Sequence, residues 1–169
     1  KVKELTFKNI RAFGGSCLLN NLKVGTLTIS NSTIGTGDGI NVNITLIFSL
    51  KAYEQVREAY VAGLETLVRA GGDISKVASV ASFFVSRVDS AVDDLIDVRI
   101  SARNATMEEL KGKAAVSNAR LAYQDFKRTF GAPRFARLGA EGARPQRPLW
   151  ASTGTKNPAY SDVLYVEAL

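Results

Sequence analysis

The chain has 169 residues, enough for one domain with a buried core, and its 46% hydrophobic content with only 4 prolines argues against disorder. It contains no histidine and one cysteine, Cys17, which excludes a histidine-activated nucleophile, an imidazole metal ligand and an intrachain disulfide, and argues against a zinc site. The net charge of +6 reflects an excess of Lys and Arg between Lys111 and Arg147, read first as a solvated basic face, second as a site for phosphorylated small molecules, and last as a nucleic-acid surface.

Any catalysis must therefore use carboxylates, lysine, hydroxyls or bound water. No cofactor or metal is implied, and no nucleic-acid partner is expected. The longest apolar run, Val77 to Val85, is interrupted by Ser79 and Ser82 and is too short for a membrane span. The opening KVKELTFKNI has no signal-peptide hydrophobic region. With a single cysteine leaning towards a reducing compartment, the expected location is the cytoplasm, away from membranes.

Residues 1–38 read as β-rich and turn-rich. LTFKNI and KVGTLTIS are predicted short strands, the second alternating Val24, Leu27 and Ile29 imperfectly with Thr and Ser. NSTIGTGDG follows as a linker, and no helix is predicted before Gly39. From residue 39 to 169, strands alternate with helices. VNITLIFS is a short, nearly continuous apolar strand of the kind covered on both faces. Ser49 can cap the next helix, in which Val56, Tyr60, Leu64 and Leu67 recur at helical spacing before Gly71 and Gly72 stop it.

VASVASFFV is a second buried strand, and Asp89 or Ser90 is expected to open a short helix through Ile96. Thr106 and Glu109 have capping-box spacing for a longer helix, Met107 to Phe130, ended by Gly131 and Pro133. Another helix can start over Pro133 to Leu138. RPLWAST reads as a third strand, and a final, helical stretch is predicted from Pro158. Strands separated by helices imply an α/β fold with parallel pairing, whose ligands meet the loops after the strands. The C-terminal strand ends are Thr45 to Ser49, Ser82 to Asp89 and Ser152 to Asn157.

Two motifs carry no weight. Gly35, Gly37 and Gly39 echo a phosphate-binding loop, but a strand follows instead of a helix. The sequons at Asn31, Asn43 and Asn104 fit glycosylation by pattern only. The strand ends are more specific as a set. Period two puts Asn43 and Thr45 on one face of the first long strand. The second offers the hydroxyl of Ser82 and the bidentate guanidinium of Arg87. The third offers Ser152, Thr153 and Thr155 with the ammonium of Lys156. These groups suit a polyhydroxylated, phosphorylated ligand, with ordinary strand caps and surface charges as the alternative.

GINVNITLIFSLKAYEQVREAYVAGLE, VASVASFFVSRVD and RPQRPLWASTGTKNPAYSDVLYVE resemble, in order, consecutive blocks of the longer bacterial type of transaldolase. The resemblance covers about residues 39–169. It implies a segment of a (β/α)8 TIM barrel acting in the pentose phosphate pathway. There, a lysine Schiff base cleaves a ketose phosphate donor and passes a dihydroxyacetone unit to an aldose phosphate acceptor. Asn43 matches the asparagine that holds the dihydroxyacetone moiety, and Thr45 the threonine that helps hold the catalytic water. Ser82 and Phe84 match a serine and an aromatic ring at the sugar, Arg87 the phosphate-binding arginine, and Ser152 a serine of the next loop. Lys156 sits near a second phosphate-binding cation.

The resemblance has gaps. The Schiff-base lysine belongs on a strand shortly before the first block, in a pattern like Ile-Lys-Val-Pro-Ala-Thr followed by a helix. Lys23, in NLKVGTLTIS, is the nearest candidate, without the proline and without the helix. The acid/base carboxylates of the family have no match in residues 1–38. Three βα units also fall short of the eight strands of a barrel. The expectation is an incomplete, inactive transaldolase fragment that self-associates through uncovered strand edges. The alternatives are a non-catalytic βα binding or assembly module, and a chimeric gene product without function.

Overall fold

The structure, a computed structural model, describes residues 5–7, 27–29, 41–100 and 105–169. In chain order its elements are β1 (Leu5–Phe7), β2 (Leu27–Ile29), β3 (Val42–Ile47), α1 (Leu50–Arg69), a 3₁₀ turn (Ile74–Lys76), β4 (Ser79–Phe84) and α2 (Ser86–Arg99). A second 3₁₀ segment (Ala105–Leu110), α3 (Ala114–Phe130), α4 (Pro133–Ala140), β5 (Arg147–Ala151) and α5 (Leu164–Ala168) follow. β1 and β2 pair in parallel, Leu5 opposite Leu27. β3, β4 and β5 form a second sheet in that order.

That sheet is parallel. Val42 N–H bonds the Ala78 carbonyl where β3 and β4 begin, while Val85 and Ser86 donate in succession to Ala151 and Ser152 as β4 and β5 end. Equal advance along both partners is the parallel register. The fold is thus α/β, with strands joined through helices as the alternation predicts. On β3, Asn43 and Thr45 share an exposed face, as period two requires, with Val42 and Ile44 half-buried, so the strand is not covered on both faces as its apolar run implied. Leu46, with φ 62°, breaks the alternation: the turn of the backbone leaves Thr45 and Leu46 both exposed and returns Ile47 to the interior.

Two compact units make up the chain. The first comprises Arg57–Val80 and Phe130–Gln146 with the described residues up to Asn43. Its core joins Tyr60, Val61, Leu64 and Leu67 of α1 to Ile74, Val77, Phe135 and Leu138. α1 stops in a Schellman turn: Gly72 N–H reaches the Leu67 carbonyl, Gly71 N–H the Val68 carbonyl, and Gly71 adopts φ 74°, which glycine alone takes cheaply. Arg134 clamps Glu58 and Glu65 with bonds of 2.7–2.9 Å, and this holds the Glu65 carboxyl below its ordinary range.

The Tyr60 hydroxyl, buried in this core, donates to the Arg144 carbonyl at 2.7 Å. Burial pushes its pKa up to about 12, with the Arg144 charge pulling weakly the other way. A group raised in the folded state stabilises fully below its unfolded pKa, here 10.0, and the contribution disappears as pH climbs towards the folded value. Stability should therefore fall between about pH 10 and 12, where the phenolate forms and can no longer donate. Urea midpoints measured across that range should decline less steeply in Tyr60→Phe; parallel declines would refute this role.

The second unit comprises Ile44–Val56, Ala81–Thr129 and Arg147–Leu169. Ser49 caps α1 as expected, its hydroxyl oxygen accepting from Ala52 N–H at 3.2 Å. Ile47, Tyr53, Ala81, Phe83 and Ala122 form one cluster, with Trp150 against it, and Val85, Ala115, Ala119 and Tyr165 form another. Three predicted elements differ. The helix over Met107 to Phe130 is instead a 3₁₀ segment and α3, parted at Gly112, whose φ of 70° cannot continue a right-handed helix. α2 starts at Ser86, ahead of Asp89, because Asp89 is engaged elsewhere in the fold. The stretch after Pro158 is mostly turns, with α5 reduced to five residues.

Candidate functional site

Thr45, Ser82, Phe84, Arg87, Ser152 and Lys156 all belong to the second unit, and Asn43 to the first. Lys23 and the glycine-rich 35–39 loop lie outside the described residues. Asn43 is the second residue of β3, Thr45 the fourth, and both side chains are exposed. Ser82 is buried within β4, at 3% exposure. Phe84 ends β4 and is half-buried, and Arg87, the second residue of α2, is exposed. Lys156 is exposed in the loop after β5.

Two contacts organise the strand ends. The Arg87 guanidinium carbon lies 5.6 Å from the centre of the Phe84 ring, a cation–π placement, and among the described residues Arg87 makes no ion pair. The Ser86 and Ser152 hydroxyls lie 2.8 Å apart, and Ser86 N–H donates to the Ser152 carbonyl at 3.2 Å. These bonds hold Ser152 at φ 59°, a left-handed conformation that costs a non-glycine residue about 1 kcal/mol or more. Backbone strain thus coincides with the turn where the chain leaves β5 towards Thr153, Thr155 and Lys156.

Behind α2 lies a second set of groups. Asp89, 1% exposed, accepts from Ala115 N–H at 2.7 Å and from the Tyr165 hydroxyl at 2.6 Å. One turn on, Asp93 accepts from Gly112 N–H at 3.1 Å and the Tyr160 hydroxyl at 2.7 Å. The two aspartates satisfy backbone donors at and before the start of α3 and tie down the C-terminal segment. Burial and the adjacent carboxylate together raise the Tyr160 phenol to about 12, and the same causes push Tyr165 higher. Both phenols remain protonated donors at neutral pH, as these bonds require. Gly112 is needed here for space as well, since a Cβ would meet the Tyr160 ring at 2.9 Å.

A cavity of about 400 Å³ lies between α2 and the segment before α3, lined by Val92, Leu95, Ile96, Met107 and Leu110. Its lining contains none of the strand-end residues. Among the described residues, no cluster of three or more His, Cys, Asp and Glu side chains could hold a metal ion, and no helix is long and apolar enough to cross a membrane. At the strand ends the contacts join Arg87 to Phe84 and Ser86 to Ser152; the aspartates, both spent on internal donors, serve the scaffold.

The sequence profile described as Transaldolase/Fructose-6-phosphate aldolase matches residues 33–169. Among curated proteins, a transaldolase of Trichodesmium erythraeum is 51% identical over 137 residues, covering 78% of this chain and 36% of the relative. A transaldolase of a Parafrankia species is 56% identical over 137 residues (81% and 36%), and one of Mycobacterium tuberculosis 54% identical over 133 (78% and 35%). The chain spans about a third of the length of these relatives.

Proposed function

The chain belongs to the transaldolase/fructose-6-phosphate aldolase family, and we propose that it supplies the phosphate-binding part of a transaldolase site. In that reading the whole enzyme moves a dihydroxyacetone unit from a ketose phosphate to an aldose phosphate, in the cytoplasm and within the pentose phosphate pathway. A neutral lysine amine adds to the ketose carbonyl and water leaves. A base takes the proton of the hydroxyl beside the scissile bond, the C–C bond breaks with its electrons passing into the iminium, and an aldose phosphate leaves. The enamine then attacks the acceptor aldehyde, whose oxygen takes up a proton. Water hydrolyses the new iminium to free the product and the lysine. Arg87, with Lys156 in support, takes the phosphate; Phe84 and Ser152 face the sugar, and Thr45 holds the water.

The observation that carries this is Arg87: exposed at the N-terminal end of α2, backed by an aromatic ring, and without an ion pair among the described residues. A planar cation there presents N–H edges to a phosphate, and the positive end of the helix dipole attracts the anion as well. Charge-assisted bonds of this kind contribute roughly 1.5–3 kcal/mol, about ten- to a hundredfold in affinity. Calorimetric titration with fructose 6-phosphate should therefore give weak binding, reduced at least about tenfold in Arg87→Ala. Equal affinities in the two proteins would sink the assignment.

A second reading, an assembly module, draws support from the apolar side chains Leu46, Phe48 and Leu149, which are 60%, 38% and 47% exposed. Single exposed residues are ordinary, but three on or just after the strands favour self-association. Sedimentation velocity over a concentration series would register it as rising mass, and constant monomer mass would exclude it.

A further inference from the structure

Arg87 does not rest on Phe84 alone. The Phe84 ring packs against Phe48, centroids 5.2 Å apart and planes tilted by 39°. Phe48 follows the last residue of β3 and Phe84 is the last residue of β4, so the ring pair joins two neighbouring strand ends. The flanking residues Ile47 and Phe83 are fully in the interior, which fixes both backbones. From α3, the Asn118 amide donates to the Phe48 carbonyl at 3.0 Å and holds the strand end further. A ring left 38% exposed contributes less to the core than its neighbours do, and its position against Phe84 gives it another use.

We propose that Phe48 is a positioning residue: its ring braces Phe84, and Phe84 in turn holds the Arg87 guanidinium over its face, leaving its N–H groups for a phosphate. The inference rests on the anion-binding reading of Arg87 for its consequence, though not for its geometry. An arginine side chain free in solvent must lose its rotamer freedom when it grips a ligand. Stacking on a braced ring removes part of that loss beforehand, so affinity rises without a new contact to the ligand. A slipping Phe84 ring would return the freedom.

The test uses the intact chain and two readouts. Ring-current shifts of the Arg87 δ-methylene protons report stacking on Phe84, and titration with inorganic phosphate reports its consequence. Phe48→Leu should move the δ-methylene signals towards their unstacked positions and weaken phosphate binding about three- to fivefold, in line with a cation–π contribution. Phe48→Tyr, which keeps the ring, should restore both. Should Phe48→Leu lose its fold by circular dichroism, Phe48→Met serves in its place. Unmoved Arg87 signals in the leucine or methionine variant would overturn the proposal, as would a tyrosine variant that behaves like leucine. If the wild-type protein binds no phosphate, the anion reading of Arg87 fails. The brace is then judged by the Arg87 signals alone, supported if they move and overturned if they do not.

Discussion

Asp89→Ala is expected to destabilise the second unit by about 3 kcal/mol. The substitution strips two buried donors, the Ala115 N–H and the Tyr165 hydroxyl, of an acceptor that each reaches within 2.7 Å. Leaving a buried donor unsatisfied costs roughly 1–3 kcal/mol, and more where the partner was charged. Against this, alanine removes the cost of keeping a carboxylate at 1% exposure. The donors win because both remain enclosed after the side chain is cut back, with water poorly placed to replace it. For a chain of this length the loss corresponds to about 6–12 °C in melting temperature.

Tyr165→Phe alone should cost about 1 kcal/mol, since the hydroxyl leaves with its need for a partner. Combined with Asp89→Ala, the two losses should add to less than their sum, the mark of a shared bond. Chemical unfolding of the four proteins settles the cycle. A loss below about 1 kcal/mol for Asp89→Ala would mean that water or a rearranged neighbour satisfies the donors.

These aspartates show where the sequence stops being legible. Asp89, Asp93 and Ile96 share one helical face by their spacing, and all three are buried. That spacing was available from residues 86–99, but a carboxylate on an inward face reads as a helix-opening residue until its partners are known. Those partners, Tyr160 and Tyr165, come some seventy residues later, brought back by the chain after β5. The elements with local causes were legible: the Ser49 cap, the Gly71–Gly72 stop, the parallel strands and the Pro133 helix start. The break at Gly112 was harder, because Thr106 and Glu109 have capping-box spacing, and the positive φ and the crowding by Tyr160 that call for glycine there are both features of the fold. In the strand-end site, Arg87 and Ser152 could be picked by chemical type. Phe48 and Ser86 could not, since each matters through a contact made across neighbouring strand ends.

No borohydride-trapped adduct is expected when this chain alone is incubated with fructose 6-phosphate, and no dihydroxyacetone transfer. A Schiff-base lysine must be neutral often enough to attack a carbonyl, a state produced by burial or by a nearby cation. Residues 33–169, the part that matches the family, contain six lysines. Lys51, Lys76, Lys113, Lys127 and Lys156 are exposed, Lys76 beside the Asp73 carboxylate and Lys127 over the Tyr123 ring, so none is buried. Lys111 is partly covered, but Asp97 and Glu108 bond its ammonium and push its pKa up, away from the value a nucleophile needs. Lys23 lies outside the family-matched residues. Positioning groups with no buried lysine amine among the described residues give binding without turnover. Mass spectrometry after reduction should accordingly find the unmodified chain, while Arg87 still confers phosphate affinity. A stable adduct that disappears in Lys23→Ala would reverse this conclusion and make Lys23 the Schiff-base residue.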